Sequence, residues 1–108
     1  MTGRPVVLRD ERNGPDTRHL EAYLDDEGNL HIDGHDLGPG TAPVSDDGEY
    51  EWFETIAAVD LPRLVKLLGG ADGEKVLDLL ARKYTGPAAS EFTLTLYSSD
   101  MPIKRVIW

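Results

Sequence analysis

The sequence contains no cysteine among its 108 residues. Without cysteine, the chain forms neither disulfide bonds nor thiolate metal sites. It also has no apolar run near the roughly 18 residues that a membrane-spanning helix needs. Its opening segment, MTGRPVVLRDER, lacks the apolar core of a signal peptide. From these absences we expect a cytoplasmic protein that does not associate with membranes.

Positive charge is scarce. Lys and Arg number 11 against 20 Asp and Glu, which gives a formal net charge of -9. Proteins bind nucleic acid largely by neutralising phosphates with Lys and Arg, so a chain this acidic, without a basic cluster, is not expected to bind it. The same charge keeps a protein soluble and speeds its encounter with a basic protein partner. Both a purely solvating role and a basic partner are compatible with it.

A chain of 108 residues is near the commonest size of a single domain. Hydrophobic residues make up 40% of it and charged residues 29%, which is typical of a folded globular protein. We therefore expect residues 1–108 to form one domain around one hydrophobic core.

Alternating apolar residues between 18 and 35 predict a β-hairpin. The apolar positions are Leu20, Ala22 and Leu24 before a glycine-containing turn, and Leu30 and Ile32 after it. Leu24 must pair with Leu30, because a slip of one residue would place it opposite Asn29. This register leaves residues 26–28 as a three-residue loop, with Gly28 where such loops favour a left-handed residue.

Other short strands are predicted around this hairpin. Residues 5–9 form a first strand, and residues 10–18, with Asn13-Gly14-Pro15-Asp16, form a turn. A Gly- and Pro-rich loop at 37–47 precedes a strand at about 49–58, whose apolar residues on both faces are typical of a central strand. Residues 103–108 form a short terminal strand.

Two helices are predicted between these last two strands. Asp60 is the N-cap of the first. Its apolar stripe has the spacing i, i+3, i+4, i+7, and Gly69-Gly70 ends it. The stripe comprises Leu61, Leu64, Val65 and Leu68. Asp72 caps the second helix, which runs to about Tyr84.

Residues 88–99 fit either element, because Phe92, Leu94 and Leu96 alternate as in a strand whereas Ala88, Phe92 and Leu96 have helical spacing. The whole pattern predicts an α+β fold. We expect a small antiparallel sheet built on the β-hairpin, one face covered by two or three short helices, and a C-terminal strand.

Several short motifs resemble those of a set of small, acidic actinobacterial proteins that have no assigned activity. The motifs are Leu24-Asp25 through Gly28-Asn29-Leu30, Gly34-His35-Asp36-Leu37-Gly38, Glu49-Tyr50-Glu51, and Met101-Pro102-Ile103 before a terminal aromatic residue. In those proteins the segment before Met-Pro-Ile is helical, so the resemblance implies a helix at 88–98. Some small acidic proteins of this build resemble immunity partners of toxins. The relatives often carry Gln at the position of His35, so the resemblance does not imply a histidine site.

The hairpin register places all three histidines on one face. It pairs His19 with His35 and sets Glu21 opposite Asp33, where like charges repel each other. Imidazole and carboxylate groups suit a divalent metal such as Zn²⁺, so His19, His35 and Asp33 are a candidate metal site, with His31 close by. The alternative is a solvated outer face, where strands ordinarily expose polar residues.

A second candidate site is the segment Glu49, Tyr50 and Glu51, which we predict to contact a protein partner because Tyr and Trp are frequent at binding hot spots. For the neighbouring Trp52 the alternative is a place in the core. No catalytic motif is recognisable: no Gly-x-Ser-x-Gly frames a serine, and no glycine loop opens a helix after a strand.

These observations favour a non-enzymatic, acidic binding protein without a cofactor, and the role of an immunity protein is one that fits this description. A metal-binding protein or small metalloenzyme that uses the histidine face is the alternative. A homo-oligomer formed through an exposed strand edge is a third hypothesis.

Overall fold

The computed structural model describes residues 5–14, 16–38 and 49–107, and they form the α+β fold predicted from the sequence. Five antiparallel strands form one sheet in chain order. They are β1 (Val6–Asn13), β2 (Asp16–Leu24), β3 (Leu30–Leu37), β4 (Glu49–Ile56) and β5 (Lys104–Ile107). The helices are α1 (Leu61–Leu67), α2 (Val76–Lys83) and α3 (Ala89–Tyr97). Within the described ranges, no helix combines the length and apolar character needed to cross a membrane.

The central hairpin has the predicted register. Leu24 pairs with Leu30, and the pairing continues in step through His19 and His35. At the turn, the backbone N–H of Gly28 donates to the carbonyl of Asp25 over 3.0 Å, and Gly28 is left-handed with φ +83°. Only glycine adopts that conformation without a steric penalty, so the turn and the alternation of the strands fix the same register.

The hydrophobic core lies between one face of this sheet and the three helices. The sheet contributes inward side chains from every second position of β2, β3 and β4 because successive strand residues point to opposite faces. Its fully buried members include Leu8, Ala22, Leu30, Ile32 and Ile56 from the strands and Leu64, Leu68, Leu79, Leu80, Ala89, Phe92 and Leu96 from the helical part of the chain. Each such side chain contributes roughly 1.5–3 kcal/mol relative to an exposed one, so this layer supplies most of the stability.

β4 is a central strand as predicted, since it pairs with β3 on one side and β5 on the other. The ambiguous segment at 88–99 is helical: α3 buries Ala89, Phe92 and Leu96, which lie at helical spacing. The predicted loop at 37–47 lies mostly outside the described residues, although Leu37 itself ends β3.

Two sequence predictions were wrong at their boundaries. The segment 10–18 is not an extended turn, because β1 continues to Asn13 and β2 begins at Asp16. The second helix begins at Val76 rather than after Asp72, because Gly73 is left-handed with φ +78°, and a right-handed helix cannot include such a residue.

A β-bulge in β1 also escaped prediction. The register with β2 shifts between Val7 and Arg9, so Leu8 is the extra residue. As a result two consecutive side chains, those of Leu8 and Arg9, are both buried on the helix side, with 0% and 8% of their surfaces exposed. The bulge therefore places a charged guanidinium at the edge of the core.

Gly34 in β3 allows the indole ring of Trp52 to lie directly on the backbone of the sheet. The two residues are paired across β3 and β4, and a Cβ at position 34 would overlap the six-membered ring of Trp52. A glycine weakens a strand, but here it provides the space that the largest side chain of β4 occupies.

We expect Gly34→Ala to lower the free energy of unfolding by about 1–3 kcal/mol, because the added methyl group forces Trp52 from its position. Urea denaturation of the single variant, of Trp52→Leu and of the double variant measures this. In the Trp52→Leu background the penalty of Gly34→Ala should shrink. An equal penalty in both backgrounds would show that Trp52 is not its cause.

Candidate functional site

The face of the sheet that points away from the helices carries all three histidines and several of the carboxylates of the sheet. We call this surface the open face. It comprises Val7, Asp10, Arg12, Thr17, His19, Glu21, Tyr23, His31, Asp33, His35, Leu37, Glu51, Phe53, Thr55, Lys104 and Val106. None of these residues is buried. The strand alternation that sends Leu20, Ile32 and Ile56 into the core sends these residues outward.

Each histidine of the open face lies beside a carboxylate. His31 Nε2 is 2.7 Å from Asp25 Oδ2, and His35 Nε2 is 3.7 Å from Glu51 Oε1. His19 lies between two acids, with 3.9 Å from Nδ1 to Asp10 Oδ1 and 3.8 Å from Nε2 to Glu21 Oε2. When protonated, the imidazoles therefore offset part of the negative charge of this face.

His31 is the most firmly held of the three. Its ring stacks on that of Tyr23, with centroids 4.9 Å apart and an angle of 8° between the planes. Asp25 accepts from its Nε2, and Thr55 Oγ1 lies 3.4 Å from its Nδ1. A hydroxyl, an imidazole and a carboxylate in this order resemble a nucleophilic triad, but the Thr55 contact exceeds the about 2.6–3.2 Å of an activated hydroxyl. These contacts fix the orientation of the His31 ring.

Asp25 fixes the hairpin turn as well as His31. Its Oδ1 accepts the backbone N–H of Glu27 over 2.9 Å and that of Asn29 over 3.0 Å. The hydrogen bond from His31, followed by those from the backbone, lowers the pKa of Asp25 to about 2. From the sequence, Asp25 was assigned no role in the turn. An Asp that bonds to the amide two residues later is typical of such turns and could have identified its role.

The structure places His19, His35 and Asp33, the predicted metal ligands, on the same face, and His19 and His35 are paired directly. Their imidazoles lie beside different carboxylates, as described above. Within 5–14, 16–38 and 49–107, no three His, Asp or Glu side chains form a group that could hold a metal ion. Zn²⁺ needs ligand atoms at about 2.0–2.2 Å. The metal site stays a prediction, which calorimetry with Zn²⁺ or Ni²⁺ can test.

The predicted contact segment is divided between the two faces. Glu51 belongs to the open face, whereas Tyr50 points to the helix side, where its ring centroid is 5.1 Å from that of Trp52. Glu49 pairs with Leu37 through the backbone. Trp52 is partly buried and packs against the core, in agreement with its alternative interpretation. Tyr50 and Glu51 therefore lie on opposite faces of β4, and the contact of Glu49, Tyr50 and Glu51 with a partner stays a prediction.

Two carboxylates oppose each other at the centre of the open face. Glu21 and Asp33 are directly paired between β2 and β3, as the hairpin register predicted. Burial, followed by the charge of Glu21, raises the pKa of Asp33, and His31 partly offsets this. Ionisation of Asp33 is therefore less favourable in the folded protein than in the unfolded chain.

We expect Asp33→Asn to stabilise the protein at pH 7 by a few tenths of a kcal/mol to about 1 kcal/mol, because it removes this repulsion. A raised folded pKa means that wild-type Asp33 destabilises while ionised and ceases to do so on protonation, so the advantage of the variant should disappear in acid. Chemical denaturation at several pH values measures it. Glu21→Gln should also stabilise the protein. Because both substitutions remove the same repulsion, the double variant should gain less stability than the two single variants added together. A destabilised Asp33→Asn at pH 7 would contradict the prediction.

For Asp25 the pKa shift on folding, and with it the effect of the charge on stability, has the opposite sign to that of Asp33. Its folded pKa, about 2, lies below the value of about 3.9 for an unfolded aspartate. Its charge therefore stabilises the fold above pH 4, and this contribution is lost as the pH falls toward 2. Asp25→Asn keeps an acceptor for the turn amides but removes the charge. It should be less stable than the wild type above pH 4 and equal to it near pH 2.

Thermal unfolding between pH 2 and 7 measures this difference. Asp26→Asn, in the same turn and exposed, is the matched control and should follow the wild type. Parallel curves for the wild type and Asp25→Asn over the whole range would be evidence against the role of the Asp25 charge.

Comparison with known protein families, with curated proteins and with solved structures gives no match for this chain. The function is therefore argued from the chemistry of its surfaces.

Proposed function

We propose that this is a non-enzymatic binding protein whose open face docks a basic surface of a partner protein. The observation that carries the proposal is the Glu21–Asp33 pair. These carboxylates face each other at the centre of a sheet face that no described helix covers, where the pKa of Asp33 is raised by burial and by Glu21. Charges that destabilise the isolated fold are typical of surfaces shaped by function. A cation from a partner, placed between them, would relieve the repulsion.

The surroundings of this pair suit a protein partner. Asp10 and Glu51 extend the acidic area along β1 and β4, and Lys104 lies at the far edge on β5. Aromatic side chains are interspersed with the acids, Tyr23 on β2 and Phe53 on β4. Aromatic anchors surrounded by charged groups are common in protein interfaces, where the charges steer association and the anchors supply affinity. A basic toxin neutralised by an immunity protein would be one partner of this kind.

The three histidines give the surface a dependence on pH. His19, His31 and His35 each lie within 4 Å of an acidic side chain. Protonated imidazoles compete with a cationic partner for those carboxylates. Binding of a cationic partner should therefore be weaker when these imidazoles carry a proton than when they are neutral.

Matched charge variants test the proposal. The open-face variant combines Glu21→Gln, Asp33→Asn and Glu51→Gln. The control variant combines Asp72→Asn, Asp78→Asn and Glu91→Gln, which are exposed residues outside the sheet. Each set removes three negative charges, from -9 to -6, so the net charge is the same and only the location differs.

The immobilised proteins are used for affinity purification from an extract of cells that carry the gene, followed by quantitative mass spectrometry. We expect a basic protein that the wild type and the control variant retain at pH 7.5, that the open-face variant loses, and that leaves at high salt. Calorimetry with that purified protein should show at least a tenfold weaker affinity for the open-face variant. Equal retention by both variants, or no retained protein, would contradict the proposal.

A further inference from the structure

A groove of about 450 Å³ lies on the opposite side of the sheet, between the sheet and α3. We call it the polar groove. Its floor is apolar and includes Ile32, Trp52 and Phe92, while its rim carries Arg9, Arg18 and Asp36. The volume falls within the roughly 300–1,000 Å³ of small-molecule sites, and an apolar floor with a few polar groups is their usual composition.

At one end of the polar groove, the charged side chain already has partners within the protein. The buried carboxylate of Glu54 accepts from Tyr97 Oη over 2.6 Å and lies 3.7 Å from Arg105 Nε. Arg105 also lies over the ring of Tyr97, 5.4 Å from its centroid. These contacts neutralise the charge of Glu54 and close this end of the groove, so ligand recognition belongs to the other end.

The other end holds unsatisfied polar atoms. Arg9 Nε and Asp36 Oδ1 are the buried side-chain nitrogen and oxygen atoms without a hydrogen bond in the described part of the chain, and both residues line the groove. Arg9 donates from Nη2 to Ser90 Oγ over 2.9 Å, and its Nε is 3.1 Å from Glu11 Oε1 but poorly aligned for a hydrogen bond. Buried polar atoms are nearly always hydrogen-bonded, because an unbonded one has lost its water without a replacement.

These two atoms require complementary partners. The Arg9 guanidinium is nine-tenths buried and donates, and the exposed Arg18, 3.6 Å from Asp36 Oδ2 through its Nε, adds a second cation. A carboxylate fits this pair, since guanidinium groups bind carboxylates through paired hydrogen bonds. Asp36 Oδ1 accepts, so an ammonium group fits there. A ligand that satisfies both carries an anion and a cation close together.

We propose that the polar groove binds a free α-amino acid with a large apolar side chain. Its carboxylate lies against Arg9 and Arg18, its ammonium group donates to Asp36, and its side chain covers the floor beside Trp52. The site is on the other face from the docking surface proposed above and does not rest on it.

The test uses Trp52 as a reporter. The chain has two tryptophans, so a Trp108→Phe background leaves Trp52 as the single one. L-phenylalanine is titrated and followed by Trp52 fluorescence and by calorimetry. Three probes each lack one feature: 3-phenylpropionate has no ammonium group, phenethylamine has no carboxylate, and glycine has no side chain. We expect each of them to bind at least tenfold more weakly than L-phenylalanine.

Variants separate the two ionic contacts. Asp36→Asn should weaken L-phenylalanine at least tenfold and leave 3-phenylpropionate unchanged or tighter. Arg18→Gln should weaken both. Asp33→Asn is the matched control, since it lies on the same strand but on the open face, and should change neither affinity. Urea denaturation of each variant confirms that it folds.

Saturable binding of L-phenylalanine with this pattern supports the proposal. No binding at millimolar concentration overturns it, as does equal binding of 3-phenylpropionate, which would show a carboxylate site that does not use Asp36. An Asp36→Asn variant that folds and binds L-phenylalanine with wild-type affinity also overturns it.

Discussion

The pairing of Leu24 with Leu30 decides which side chains of the sheet meet the helices and which meet the surroundings. A strand exposes alternate residues on opposite faces, so a shift of one residue would bring His31 and Asp33 into the core and expel Ile32. Such a shift would bury two ionisable groups without partners and would expose apolar side chains that now belong to the core, and both changes are unfavourable. The left-handed Gly28 at the turn enforces the same register from the other end. The separation between the open face and the polar groove follows from this single constraint.

How much of the fold the sequence predicts depends on the contrast between the faces of each element. In β2 and β3 the inner face is apolar and the outer face polar, so the alternation is visible and the register could be derived. In the outer half of β1 both faces carry polar residues, Asp10 and Glu11 among them, so no pattern marks the strand and its pairing with β2 forms it. The late start of α2 depends on the left-handed backbone of Gly73, which composition alone does not reveal.

For the two candidate surfaces as well, some features could be predicted from the sequence and others could not. Membership of the open face follows from the register, so the location of the three histidines was predictable. The partner of each imidazole was not, because it depends on side-chain rotamers and on the reach of Asp25 from the turn. The polar groove was not predictable at all. It needs the bulge that turns Arg9 inward and a contact with Ser90, which is 81 residues away along the chain.

Strand β3 connects the two surfaces physically. Asp33 and His35 point to the open face, while Gly34 and Asp36 point to the helix side, so four consecutive residues serve both. Burial raises the pKa of Asp33 and that of Asp36, although Arg18 and Arg9 oppose the shift at Asp36. One strand thus carries two carboxyl groups, on opposite faces of the sheet, whose ionisation is less favourable in the folded protein than in the unfolded chain. Both groups lower the stability of the fold, and apolar or neutral residues at these two positions would lower it less. A ligand or partner of opposite charge would explain their presence, one on the sheet face that the described helices leave open and the other at the rim of a groove.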